Sequence, residues 1–179
     1  MLKLKILELL KLYFGEIIMN KAIYPGSFDP ITFGHIDIIL RASKIFDYIV
    51  IGIAKDNSKT NFLFTETERK FFIENSLSEI ENIEVKIFDG LLTDFVKKEN
   101  SNIIIRGLRV LSDFEYEFRM ALMNRKLDDE ITTMFMMPNE KYTHISSSLI
   151  KEVVSLGGRV DDYVPPQILL ELNNKLNEK

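Results

Sequence analysis

Residues able to do phosphate chemistry gather in three short stretches, each following an apolar run. In "GSFDPITFGH", Gly26 permits a tight turn and Pro30 fixes another, while Ser27 offers a hydroxyl and a backbone N–H. Gly34 lets a ligand approach the backbone, and His35 falls in the first turn of the next helix. Such a helix end carries unsatisfied N–H groups and positive partial charge, so it attracts phosphate. The same field disfavours imidazolium, which makes His35 a neutral donor of one N–H to a phosphate oxygen. A turn whose histidine merely packs fits the same residue types. In "IIIRGLR", Arg106 and Arg109 flank Gly107 and Leu108. Guanidinium forks suit phosphate oxygens, and Arg106 continues a buried strand, where an unpaired charge is costly. Two surface charges are the alternative reading. Glu117 on its own reads as a solvated partner for a neighbouring Arg or Lys. In "YTHISSSLIK", Ser146, Ser147 and Ser148 supply hydroxyls and free N–H groups at a helix start, although one serine suffices for a cap. Lys59, in a polar loop, either reaches an anionic substrate or faces water.

Together these groups make a polyphosphate site without a nucleophile. The chain has no Walker Gly-x-x-x-x-Gly-Lys, no G-x-G-x-x-G after the first strand, and no Ser-His-Asp ordering. Cations and N–H donors arranged around phosphates favour direct in-line transfer, assisted by positioning and charge stabilisation.

The elements that hold these groups alternate in type from Lys21 onward. "KAIYP", "YIVIGIA", "IEVKIF", "NIIIR" and "ITTMFMM" read as strands, with helical patterns between them, as in a parallel α/β sheet. Thr65 with Glu68, and Ser112 with Glu115, have capping-box spacing; Gly157-Gly158 reads as a helix stop, and Pro165-Pro166 opens a last helix. The predicted fold is a single Rossmann-like doubly wound α/β domain, its five parallel strands in the order 3-2-1-4-5, with a C-terminal helical segment. Ligands of such sheets bind beyond the strands' carboxyl ends, where the order reverses. The three stretches fall there, after strands one, four and five.

Composition narrows the function. A net charge of −4 argues against a broad nucleic-acid surface. With no cysteine and two histidines far apart, thiolate or imidazole-rich metal sites are not expected, nor is a disulfide. No apolar run approaches membrane-spanning length. Residues 1–18 read as an N-terminal extension, either an amphipathic helix or a translated leader. Gly15-Glu16 requires a purine-rich codon pair of the kind found in a bacterial ribosome-binding site, just upstream of Met19. We therefore expect the native chain to begin at Met19, with residues 19–179 forming the catalytic domain.

"YPGSFDPITFGHIDII", "IIRGLRVLSDFEYEFRMALMNRKL", "ISSSLIKEV" and "GGRVDDYVP" together resemble the bacterial phosphopantetheine adenylyltransferase family, whose superfamily carries a T/H-x-G-H signature. The resemblance runs in order from Met19 to the last helix. It implies transfer of the adenylyl group of ATP to 4′-phosphopantetheine, giving dephospho-coenzyme A and pyrophosphate, with Mg²⁺ accompanying the nucleotide. It implies that Ser27 and His35 hold the α-phosphate, with His35 stabilising the transition state and Arg109 in the catalytic set. Lys59, Arg106, Leu92 and Ser27 would meet phosphopantetheine. Phe28, Gly107, Leu108, Arg109, Glu117 and the run Tyr142, Thr143, His144, Ile145, Ser146, Ser147 and Ser148 would surround ATP. A cytoplasmic homohexamer inhibited by coenzyme A is further implied. Ser27 stands where the family commonly has Thr, and the loop "SKTNFLF" is one residue longer than usual. His144 takes a place often apolar, either stacking near adenine or facing solvent. The rival readings are another adenylyltransferase, such as one for nicotinate mononucleotide, and a non-catalytic nucleotide-binding protein. Thr32 where those relatives have His, and the retention of His35 with both arginines, weigh against them.

Overall fold

Short apolar runs, Ile-rich in β2 and β4, become the strands of one sheet. The computed structural model describes residues 20–55 and 61–177. It contains β1 (Lys21–Gly26), β2 (Tyr48–Ala54), β3 (Ile83–Phe88), β4 (Ile103–Gly107) and β5 (Thr132–Met136). Their order is β3-β2-β1-β4-β5, as predicted, and every neighbouring pair is parallel. The α-helices among the described residues are α1 (Phe33–Ala42), α2 (Glu66–Ser76), α3 (Leu92–Lys98), α4 (Leu111–Leu127), α5 (Ser147–Ser155) and α6 (Pro166–Asn177). The expected N-terminal segment 1–18, Met19 and Lys59 lie outside the described residues.

In the three inner strands, β1, β2 and β4, alternate residues enter different cores, which is why those runs are largely apolar. Ala22, Tyr24, Ile49, Ile51, Ile53 and Ile105 face a large core with α1, α2, α5 and α6. Ile23, Val50 and Ile104 face a smaller one built with Phe95, Val96 and Ile131. Burying each such Ile contributes about 1.5–3 kcal/mol.

The helix ends show which local signals held. At α2, Thr65 Oγ1 accepts the Glu68 N–H at 3.3 Å and Glu68 accepts the Thr65 N–H at 2.7 Å, the expected capping box. At α5, Gly157 (φ +79°) donates to Val154 O and Gly158 to Val153 O, a Schellman stop. The expected Ser112–Glu115 cap does not open α4. That helix starts at Leu111 with Val110 as its N-cap, so Ser112 already lies in the first turn. Local bonds close the turn earlier: the Asp113 N–H donates to Val110 O, and the Asp113 carboxylate accepts from Arg109 Nε, both at 3.0 Å.

Candidate active site

β1 and β4 lie side by side where the strand order reverses, and a cleft of about 250 Å³ opens beyond their carboxyl ends. Its walls come from the β1–α1 loop, the first turn of α1, the end of β4, Glu117 of α4 and the segment running into α5. Ser27, Phe28, His35, Arg106, Gly107, Arg109, Glu117, Tyr142, Ile145, Ser146, Ser147 and Ser148 all line it. A second cavity of about 260 Å³ adjoins, walled by Ala54, Phe88, Leu92, Met120, Asn124 and Thr133. The two share Pro25, Gly26, Ser27, Arg106 and Glu117. The structure thus presents two compartments with Ser27 and Arg106 in the common wall.

The β1–α1 loop is shaped by contacts that the sequence reading did not include. Phe28 takes a left-handed backbone (φ 48°) and folds its ring beneath Gly26, where any Cβ would lie 2.9 Å from the ring. The glycine is needed for that aromatic approach rather than for a tight turn alone. At Gly34 a Cβ would come within 3.3 Å of the Tyr142 Cβ, so the close neighbour there is Tyr142.

His35 is half-buried, with its ring edge-on to Phe28 at 5.2 Å. Thr32 caps α1, and His35 occupies the position that Glu or Gln fills in an ordinary capping box. His35 Nδ1 accepts the Thr32 N–H at 3.1 Å and lies 3.0 Å from Thr32 Oγ1. A nitrogen that accepts a backbone N–H carries no proton, so in the neutral ring the proton resides on Nε2. Burial, with the positive charges of Arg109 and Arg106, holds the His35 pKa down at about 4. The ring is neutral at physiological pH, as expected, but burial and the two arginines hold it so rather than the helix-end field.

Arg106 is not a loose surface charge. Its Nε and Nη2 grip the two oxygens of buried Glu117, and Nη1 donates to Pro25 O at 3.0 Å. The pairing meets the demand of a charge at a strand end and orients the fork between the two compartments. Glu117 is therefore a buried clamp, not a solvated partner. Arg109 is held by Asp113 and by Ile145 O, the latter at 3.0 Å.

The serines divide their work. Ser146 caps α5 by accepting the Leu149 N–H, Ser147 donates to Pro30 O at 2.8 Å, and exposed Ser148 faces the cleft. Leu108, Thr143 and His144 do not line the cleft. Leu108 N–H donates to Met136 O, Thr143 Oγ1 to Glu140 O, and exposed His144 lies edge-on to Tyr163 at 5.6 Å.

Three further residues hold the site together. Asp29, only 2% exposed, accepts the N–H groups of Leu63 and Phe64 at 3.0 and 2.9 Å and pairs with Lys151 of α5. Arg69 of α2 is fully buried and donates to Ser27 O at 2.7 Å. The sequence did hold a signal for Arg69, since it shares a helix face with buried Phe72 and Ile73 three and four positions on.

A model of the cytidylyltransferase-like family matches residues 23–153. The phosphopantetheine adenylyltransferase of Clostridium tetani (strain Massachusetts / E88) is 51% identical over 161 residues, covering 90% of this chain and 100% of that protein. Its namesake from Clostridium novyi (strain NT) is 49% identical over 160 residues, covering 89% and 99%. This chain belongs to the phosphopantetheine adenylyltransferase family. Among solved structures, the nicotinic acid mononucleotide adenylyltransferase of Plasmodium falciparum aligns with a TM-score of 0.64 at 18% identity, over 89% of this chain and 97% of that one. At that identity the likeness is one of fold. Within the family fold, Ser27, Phe28, His35, Arg106, Gly107, Arg109 and Glu117 converge on the β1–β4 cleft, while Leu108, Thr143 and His144 lie outside it.

Proposed function

We propose that this protein joins the adenylyl group of ATP to 4′-phosphopantetheine, releasing pyrophosphate and forming dephospho-coenzyme A. The observation that carries the reading is the meeting of two compartments at Ser27 and Arg106, in a chain half identical to enzymes of that name. The cleft takes ATP and the adjoining cavity, with Leu92 in its wall, takes the pantetheine arm. An oxygen of the acceptor's phosphate attacks the α-phosphorus, and a new O–P bond forms. The bond from that phosphorus to the bridging oxygen breaks, and pyrophosphate leaves with the electron pair. The attacking oxygen is already anionic, so no general base is needed. His35 Nε2–H and Ser27 donate to the α-phosphate as charge builds, Arg109 adds positive charge, and Arg106 and Lys59 bind the acceptor phosphate.

Among the described residues no group of three His, Asp or Glu side chains could hold a metal ion, and cleft-lining Glu117 is committed to Arg106. This donor set fits Mg²⁺ carried on the nucleotide's own phosphates, where it would neutralise their charge, rather than a protein-held ion. Coenzyme A shares the pantetheine arm and inhibits by competing for the second cavity. The enzyme works in the cytoplasm as a homohexamer. No helix among the described residues is long and apolar enough to cross a membrane.

The test is pyrophosphate release from ATP and Mg²⁺, with 4′-phosphopantetheine or nicotinate mononucleotide as acceptor. Release with phosphopantetheine alone, and dephospho-coenzyme A identified by mass, is the expected result. Release with the mononucleotide alone keeps the chemistry and overturns the acceptor.

A further inference from the structure

Arg69 is the largest of the fully buried side chains outside the cleft wall that carries a charge, and it reaches the loop on which the proposed chemistry depends. It starts from α2, donates through Nε to Phe64 O at 3.1 Å and through Nη1 to Ser27 O at 2.7 Å, and Nη2 lies 3.5 Å from Ala54 O. Its guanidinium lies over the Phe62 ring, 4.4 Å from the centroid. One side chain thereby joins the end of β2, the segment entering α2 and the β1–α1 loop.

The contact with Ser27 has a directional consequence. The Ser27–Phe28 peptide is trans, so its carbonyl and N–H point in opposite directions. Ser27 and Phe28 line the cleft whereas Arg69 does not, so a Ser27 carbonyl bonded to Arg69 leaves the opposite Phe28 N–H to the cleft side. Phe28 meanwhile holds a left-handed backbone that a bulky side chain adopts only under outside constraint. Asp29, next in the chain, is fixed through the Leu63 and Phe64 N–H groups. The loop is therefore gripped on successive residues from the α2 side.

We propose that Arg69 is a positioning residue for adenylyl transfer: by holding the Ser27 carbonyl it aims the Phe28 N–H, and with it the Ser27 hydroxyl, at the α-phosphate of the bound nucleotide. Its role in turnover rests on the adenylyl-transfer reading; its role in orienting the Phe28 amide does not. A shift of about 1 Å in a positioning group costs on the order of a hundredfold in rate.

The experiment compares wild type with Arg69→Lys and Arg69→Ala at a temperature where circular dichroism shows each variant folded. Arg69→Lys keeps the charge and loses the fork. It should lower kcat about a hundredfold while moving the KM for ATP far less. Guanidinium ion at millimolar concentration, far below the molar range that unfolds proteins, should restore part of the Arg69→Ala rate. In protein labelled with ¹⁵N-phenylalanine, ATP should shift the Phe28 amide resonance in wild type but not in Arg69→Lys. A folded Arg69→Lys with wild-type kcat and the same ATP-induced Phe28 shift overturns the proposal and leaves Arg69 a core residue. If Arg69→Ala does not fold, the kcat and the amide shift of Arg69→Lys decide. If wild type releases no pyrophosphate with either acceptor, the adenylyl-transfer reading fails, and the amide shift alone judges the orientation by Arg69.

Discussion

At the residue scale the decisive property of His35 is that it stays neutral. In the proposed reaction an imidazolium would bind the ground-state triphosphate tightly, whereas a neutral Nε2–H donor would gain strength mainly as charge accumulates on the α-phosphate oxygens. His35→Ala should therefore lower kcat by about 10²–10³-fold with little change in the KM for ATP. Steady-state kinetics decide this, and a change confined to KM would refute the role. With a pKa near 4, the ring should impose no limb on the kcat–pH profile near pH 6.5; loss should set in only as pH approaches 4. Stability follows the same sign. Between pH 6.5 and about 4 the unfolded chain binds this proton and the folded one does not, so the His35 contribution is full above 6.5 and declines on acidification. Residue types and spacing were enough to bring His35, Ser27 and both arginines to one cleft. The grip on them was harder to read, because Asp29, Lys151 and Arg69 act on backbone or charge far along the chain. In sequence, "FDP" is simply a turn.

At the scale of elements, the signals that sequence carries best are those whose partners lie within a few residues. The Thr65–Glu68 box and the Gly157-Gly158 stop were legible for that reason. The Thr32–His35 cap was not, because His stands in for the usual Glu or Gln at its third position. The α4 start also differed, since the helix begins at Leu111 with Val110 as its N-cap, one residue ahead of the serine. The Thr65 cap offers a clean measure of what such a signal is worth. Thr65→Ala leaves the Glu68 N–H without its acceptor and should cost about 1 kcal/mol. In a domain of this size that lowers Tm by about 2–4 °C. Thermal melts followed by circular dichroism measure it, and an unchanged Tm would mean that packing of Phe72 and Ile73 alone starts the helix.

For the molecule as a whole, α4 is the element whose surface does not suit an isolated chain. Phe114, Phe118 and Leu122 recur every fourth residue along one exposed stripe, and Tyr116, Met123 and Leu127 follow another. Exposed apolar area of this extent marks an interaction surface in a soluble protein. The second stripe also contains Met120, and both Tyr116 and Met120 line the proposed acceptor cavity. A second copy packed on this helix would then close one side of that cavity, linking assembly to acceptor binding. Light scattering should accordingly give a mass of several chains, six on the proposed assembly. Leu122→Asp should shift the population toward single chains, because a carboxylate buried in such an interface lacks a partner. The same variant should raise the KM for phosphopantetheine more than that for ATP, whose cleft lies on the other side of Arg106. A wild type of single-chain mass would overturn the assembly. An oligomer that dissociates with both KM values unchanged would instead show that each chain completes its own acceptor cavity.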